Sequence, residues 1–152
     1  MITRIIGNGL KTGFVLAATT TAAIMLASDK ETDLPWAAIN AVAHIVDGDE
    51  KEQPTGYSPR ESALGICING TAMSAWGVLY EGALAMTKTK SSLITAILAT
   101  TAAYIIDYKV VPPQFTPGIE KRLSQQSILM TYGIFAITLA LSTLWNGSQR
   151  AE

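Results

Sequence analysis

The sequence predicts an all-α integral membrane protein, a four-helix bundle with one short interfacial helix between spans 1 and 2. Three observations carry the prediction. The chain is 49% hydrophobic, with a mean hydropathy of +0.28. Only 15% of its 152 residues are charged, against about 25% in an ordinary soluble domain. Four uncharged runs, at 13–28, 62–80, 91–106 and 127–145, approach or reach the roughly 20 helical residues that cross a hydrocarbon layer. Residues 1–152 read as a single transmembrane domain, with spans near 3–28, 58–87, 91–111 and 117–146 and the interfacial helix near 34–47.

The first run follows Arg4 and Lys11 and ends Leu-Ala-Ser, which gives it some character of a signal peptide. Three consecutive threonines interrupt its apolar core and the small-x-small cleavage pattern is poor, so it reads as a retained first helix. Next, 34–46 wound at 100° per residue places Leu34, Ala38, Val42, Ile45 and Ile39 on one broad face and Asn40 and His44 on a narrow polar stripe. About 13 residues do not span a bilayer. An amphipathic helix lying in the interface is expected, with Asp33 capping its start and Gly48 closing its end. His44 is then most simply part of that helix's polar face.

Ser58-Pro59-Arg60-Glu61 has the form of a capping box and marks the water boundary of the second span. The third span must stop before Pro112-Pro113. The fourth is expected to begin at Thr116-Pro117, with Glu120-Lys121-Arg122 as an exposed first turn. Lysines and arginines beside the spans orient a membrane chain. The raw count is nearly even: Arg4, Lys11, Lys88, Lys90 and Arg150 fall in short segments on one side, while Lys30, Lys51, Arg60, Lys109, Lys121 and Arg122 are spread over two longer loops on the other, which also carry every acid except Glu81 and Glu152. Both termini are therefore expected in the cytoplasm.

Composition removes several function classes. A net charge of −1, with no basic patch, excludes nucleic acid as a partner. One cysteine, Cys67, and one histidine, His44, leave too few ligands for a cysteine-rich zinc site or a multi-imidazole centre, so neither metal nor cofactor is expected. No phosphate-binding loop, H-E-x-x-H or G-x-S-x-G motif occurs. The acidic run 47–52 lacks the calcium-loop pattern and reads as a solvated loop.

The candidate functional groups are the polar residues within or beside the spans: His44, Asn40, Glu81, Tyr104 and Asp107. Charge inside hydrocarbon costs about 2.5–3.5 kcal/mol on insertion scales, so such residues face the bundle interior or a wet pocket. Gly70, Ser74, Gly77 and Glu81 share one helix face, as do Ala96, Thr100, Ala103 and Asp107. Small residues on a face let helices approach closely. Glu81 and Asp107 fall near opposite boundaries and are not expected to share a site. Glu81 is expected to find partners at the start of the first helix, near Asn8 and Lys11. His44 is expected to meet Tyr104 and Asp107 on the outer side.

Asn40-Ala-Val-Ala-His44, Gly48-Asp-Glu50, Leu79-Tyr-Glu81, Asp107-Tyr-Lys-Val-Val-Pro112 and Thr116-Pro-Gly-Ile-Glu120 together look familiar. Over most of residues 12–145 the chain resembles an uncharacterised family of small bacterial membrane proteins with four predicted spans. The resemblance implies a bacterial inner-membrane protein and supplies no mechanism.

Three function classes follow. The first is a non-catalytic scaffold, accessory subunit or envelope-maintenance protein, whose partners are the lipid bilayer and a membrane protein or further copies of the chain. The second is a small oligomeric transporter using Glu81 or Asp107. The third is a membrane enzyme or cofactor protein built on His44 and Asp107.

Overall fold

The computed structural model describes residues 1–87 and 92–146. It is an all-α bundle. The elements are α1 (Ile2–Thr32), α2 (Ala37–Ala41), α3 (His44–Asp47), α4 (Pro59–Met86), α5 (Ser92–Ile105) and α6 (Gln125–Asn146). A π-helical turn, Ile106–Val110, continues α5, and two 3₁₀ turns, Pro113–Phe115 and Ile119–Lys121, lead into α6. Four helical segments are long and apolar enough to cross a membrane: α1, α4, α5 with its π turn, and α6. Lys88, Lys90 and Arg150, which entered the orientation argument, lie outside the described residues, as does Ser91 at the expected start of the third span.

Glycines set the closest helix pair. A Cβ on Gly77 of α4 would stand 2.3 Å from the Gly9 carbonyl oxygen and 2.7 Å from the Gly13 nitrogen of α1. The small face of α4 thus meets a second small face, Gly9 and Gly13, that the sequence reading did not single out. Gly70, on the expected stripe, faces open space instead. On α5 the stripe is buried as expected, with Ala96, Thr100 and Ala103 all inside. Ala96 and Ala103 pack in one apolar cluster with Leu16, Met73, Tyr80, Phe135 and Leu139. A second cluster nearer the loops gathers Ile24, Ala38, Ile39, Val42, Ile119, Leu123 and Ile128.

The segment expected as one interfacial helix differs in two ways. It breaks into α2 and α3, and residues 37–44 are all buried. The physical reason is volume: alanines at 37, 38, 41 and 43 let the segment sink between α1, α4 and the turn at 119–121 instead of lying on a surface. The Gly65 Cα of α4 sits directly under the Ile39 carbonyl. Asp33 does not cap this segment; it ends α1 in the left-handed conformation, φ 58°, bonded to Asp29. Gly48 closes α3 with φ 86°, as a terminal glycine should.

The start of α4 also differs in detail. Ser58 is its N-cap and Pro59 its first residue, but the serine hydroxyl donates to the Glu61 carboxylate and the Ser58 N–H donates to Ser62 Oγ at 3.1 Å. Glu61, itself buried, also pairs with Arg60 and Lys51, each 3.1 Å away. The fourth span starts at Gln125, later than expected, because Gly118 takes φ 82° and residues 119–121 form a 3₁₀ turn with Ile119 buried. Its start is fastened both locally, by the Ser124 hydroxyl accepting from the Ser127 N–H at 3.3 Å, and from a distance. Glu31 of α1 accepts from the Ser124 N–H at 2.8 Å, the Ser124 hydroxyl at 2.6 Å and the Ser127 hydroxyl.

Candidate functional site

The candidate polar side chains gather in three places along the bundle, apart from a further group in which Asn69 Nδ2 donates to the Thr20 and Thr21 hydroxyls. The loop end holds Asn40 and His44. Asn40 is fully enclosed; its Nδ2 donates to the carbonyls of Pro54 (2.9 Å) and Gly56 (2.7 Å), and its Oδ1 accepts from Ser62 Oγ at 2.7 Å. Both amide groups are used, so Asn40 fastens the loop to α2 and α4.

His44 is 2% exposed. Its Nε2 lies 2.9 Å from the Thr116 carbonyl, which only accepts, so Nε2 carries a proton. Its Nδ1 faces Asp49 Oδ1 at 2.8 Å and Lys121 Nζ at 3.3 Å. A neutral ring accepts from the ammonium there; a protonated ring donates to the carboxylate. The expected contact with Asp107 and Tyr104 does not form. The sunken α2–α3 segment aims the imidazole at the 116–121 connection, and Gly118 lies so close that a Cβ there would stand 2.6 Å from His44 Cδ2.

Lys121 beside Asp49, and His44 after it, hold the Asp49 carboxyl below its ordinary range. Arg60 binds both oxygens of Asp47, at 2.6 and 2.8 Å, and Lys51 adds a contact at 2.9 Å. These two cations, Arg60 first, hold the Asp47 carboxyl well below the usual carboxylate range. Two acids of the loop, Asp47 and Asp49, are thus held by cations.

Asp107 sits in the π-helical turn that follows α5. Such turns are rare and occur often at functional sites. The Tyr132 hydroxyl of α6 donates to Asp107 Oδ2 at 2.5 Å. Tyr104 accepts from Gln125 Nε2 at 2.8 Å. The rings of Tyr104, Tyr108 and Tyr132 cluster with centroids 5.1–6.1 Å apart. Asp107 and Tyr132 line a cavity of about 120 Å³ whose other walls are mostly apolar.

Glu81 lies at the other end, 4% exposed. Asn146 Nδ2 donates to Glu81 Oε1 and to Thr12 Oγ1, both at 3.0 Å, and the Thr12 hydroxyl lies 3.5 Å from Glu81 Oε1. The partners do come from the start of α1, but Thr12 supplies the hydrogen bond, and α6 contributes as well. Asn8 joins Glu81 in lining a separate cavity with Arg4 and Leu84. As expected, Glu81 and Asp107 do not meet.

Sequence reasoning missed Asp49, Thr116 and Lys121 around His44, Tyr132 beside Asp107, and Thr12 and Asn146 beside Glu81. Periodicity on one helix cannot show which residue of another helix faces it. Asn146 was the most legible of these, as an amide at the end of an apolar run. Among the described residues, no three of His, Cys, Asp and Glu converge as metal ligands would. Searches against protein-family models, curated proteins and solved structures find no match to this chain.

Proposed function

We propose that the protein is a non-catalytic integral protein of a bacterial inner membrane, acting as a scaffold, accessory subunit or envelope-maintenance factor, with both termini in the cytoplasm. One observation carries this reading. The cavity at Asp107 and the cavity at Glu81 share no lining residue, and the core of the bundle holds Leu16 and Leu139, which line neither, with the glycine contact of α1 and α4. A closed middle suits a protein that holds others in place. The aliphatic residues exposed along the helices, among them Leu79, Leu98, Ile137 and Leu144, suit lipid or partner helices.

The transporter reading remains the second, favoured by a buried carboxylate at each end, Glu81 with Thr12 and Asn146 and Asp107 with Tyr132. Crosslinking in native membranes followed by purification of the full chain tests the first reading. A defined membrane protein captured in stoichiometric amount supports it. Capture of no protein, together with substrate-dependent currents in liposomes holding the pure chain, overturns it in favour of transport.

A further inference from the structure

The cavity beside Asp107 has a chemical bias. Its walls are mostly apolar, Ile24, Val42, Ile68, Met73 and Phe135 among them; Thr20, Asn69 and Thr131 are neutral polar members, and Asp107 is the one carboxylate in the lining. At about 120 Å³ it is close to the roughly 150 Å³ apolar cavity that accepts a benzene molecule. Ala72 and Phe115 line it and are also exposed on the outside of the bundle, so its mouth is on the flank.

The charges around it are unbalanced. Among the described residues Asp107 forms no ion pair, and neither does Glu120. Two cations of the neighbouring connection are committed elsewhere, Lys121 to Asp49 and Arg122 to the Gln53 carbonyl, and Lys109, on the same π turn as Asp107, is exposed and forms no ion pair with it. Glu120 sits next to Ile119, which lines the cavity. One of its oxygens accepts from Thr116 Oγ1 at 2.6 Å; the other is buried without a hydrogen-bond partner, as is the Tyr108 hydroxyl. A carboxylate facing an apolar enclosure is stabilised by a cation that enters with it. The Tyr132 and Phe135 rings in the lining add faces to which a cation is attracted.

We propose that this cavity binds a small lipophilic amine as its ammonium ion, with the nitrogen against the Asp107 carboxylate and the hydrocarbon body among Ile24, Ile68, Met73 and Phe135. The occupant is a simple amine and not an ethanolamine lipid. A lipid headgroup would bring its phosphate against Asp107, and like charges in a low dielectric repel strongly. The inference is independent of the scaffold reading.

The test uses the full chain in phosphatidylcholine nanodiscs, titrated with benzylamine, benzyl alcohol and benzoate and followed by saturation-transfer NMR. Benzylamine is expected to bind saturably at one site, at least tenfold tighter than benzyl alcohol, with benzoate excluded. Asp107→Asn should weaken the amine at least tenfold. Ala72→Phe, which fills the mouth from α4 and leaves every carboxylate in place, should do the same and decides the matter if Asp107→Asn does not fold. Equal binding of amine and alcohol, or undiminished amine binding in the folded variants, overturns the proposal. Nanodiscs of phosphatidylethanolamine should leave the benzylamine affinity unchanged; competition there would overturn the choice of occupant by giving the site to the lipid.

Discussion

Gly65 of α4 lies under the carbonyl oxygen of Ile39, so close that a Cβ on the glycine would stand 2.0 Å from that oxygen. The contact is backbone against backbone, which no rotamer change relieves. Gly65→Ala is therefore expected to push α2 off α4, with a loss on the order of 1–3 kcal/mol typical of overpacking. Thermal unfolding in detergent should show a lower midpoint, and Gly70→Ala, whose site is open, should not. Equal midpoints for the two variants would remove Gly65 from the seat of α2.

The α1–α4 contact gives a parallel expectation. Gly77→Leu places a branched side chain where the Gly9 carbonyl and the Gly13 backbone already stand, and should disrupt the bundle. The double variant with Gly70→Ala should behave like Gly77→Leu alone, since distant independent sites add.

Asn40→Leu keeps volume and removes three hydrogen bonds. It leaves the carbonyls of Pro54 and Gly56 without their amide donor, at a cost of about 1–3 kcal/mol for a buried group left unsatisfied. Hydrogen exchange should speed up in 50–58 before it changes in the four long helices. Unchanged exchange in that loop would show that Asn40 does not hold it.

Acid should release the same loop. Asp47 and Asp49 both titrate below the ordinary carboxylate range because Arg60 and Lys51, and Lys121 and His44, favour their charged forms. A depressed folded pKa contributes stability that is complete above the unfolded value, about 3.9, and is lost as pH falls through the folded one. The loop should stay fastened at pH 5 and loosen progressively below pH 4, more steeply at low salt. Arg60→Gln should move that loosening to higher pH. Proteolysis of 48–57 across this range reads it directly.

The 48–58 and 111–118 connections share one end of the bundle, since His44 and Lys121 link them. In a chain with Cys67→Ser, Glu50→Cys and Phe115→Cys should react with a membrane-impermeant thiol reagent from the same side. Reaction from opposite sides would break the topology.

Much of the fold was legible because hydrophobic runs and prolines act locally. The runs at 62–80 and 127–145 place α4 and most of α6, and Pro112-Pro113 ends the third span. What failed depends on residues far apart in the chain. Asn40 and His44 looked like a wet stripe, since amphipathicity on a short helix cannot distinguish water from buried carbonyls such as those of Pro54 and Thr116. Gly118 delays α6 through a positive φ that many glycines could adopt and few do. Of the candidate site, the residue types were readable, and the separation of Glu81 from Asp107 followed from helix rise. The pairing of Asp107 with Tyr132 was not, because α5 and α6 carry no mutual register in their sequences.

Glu31, near the end of α1, serves as the cap for α6, more than 90 residues later. A ribosome therefore releases the cap long before the helix it completes. Until α6 emerges, Glu31 has neither Ser124 nor Ser127 to bind, and until Glu31 is in place the Ser124 N–H lacks this acceptor, while the Ser124 hydroxyl serves the Ser127 N–H locally. The first and last spans are mutually dependent at this point. Assembly of the bundle thus has a closing step, the docking of the last helix on the first, which completes the Glu31 contact only after every other span has been made.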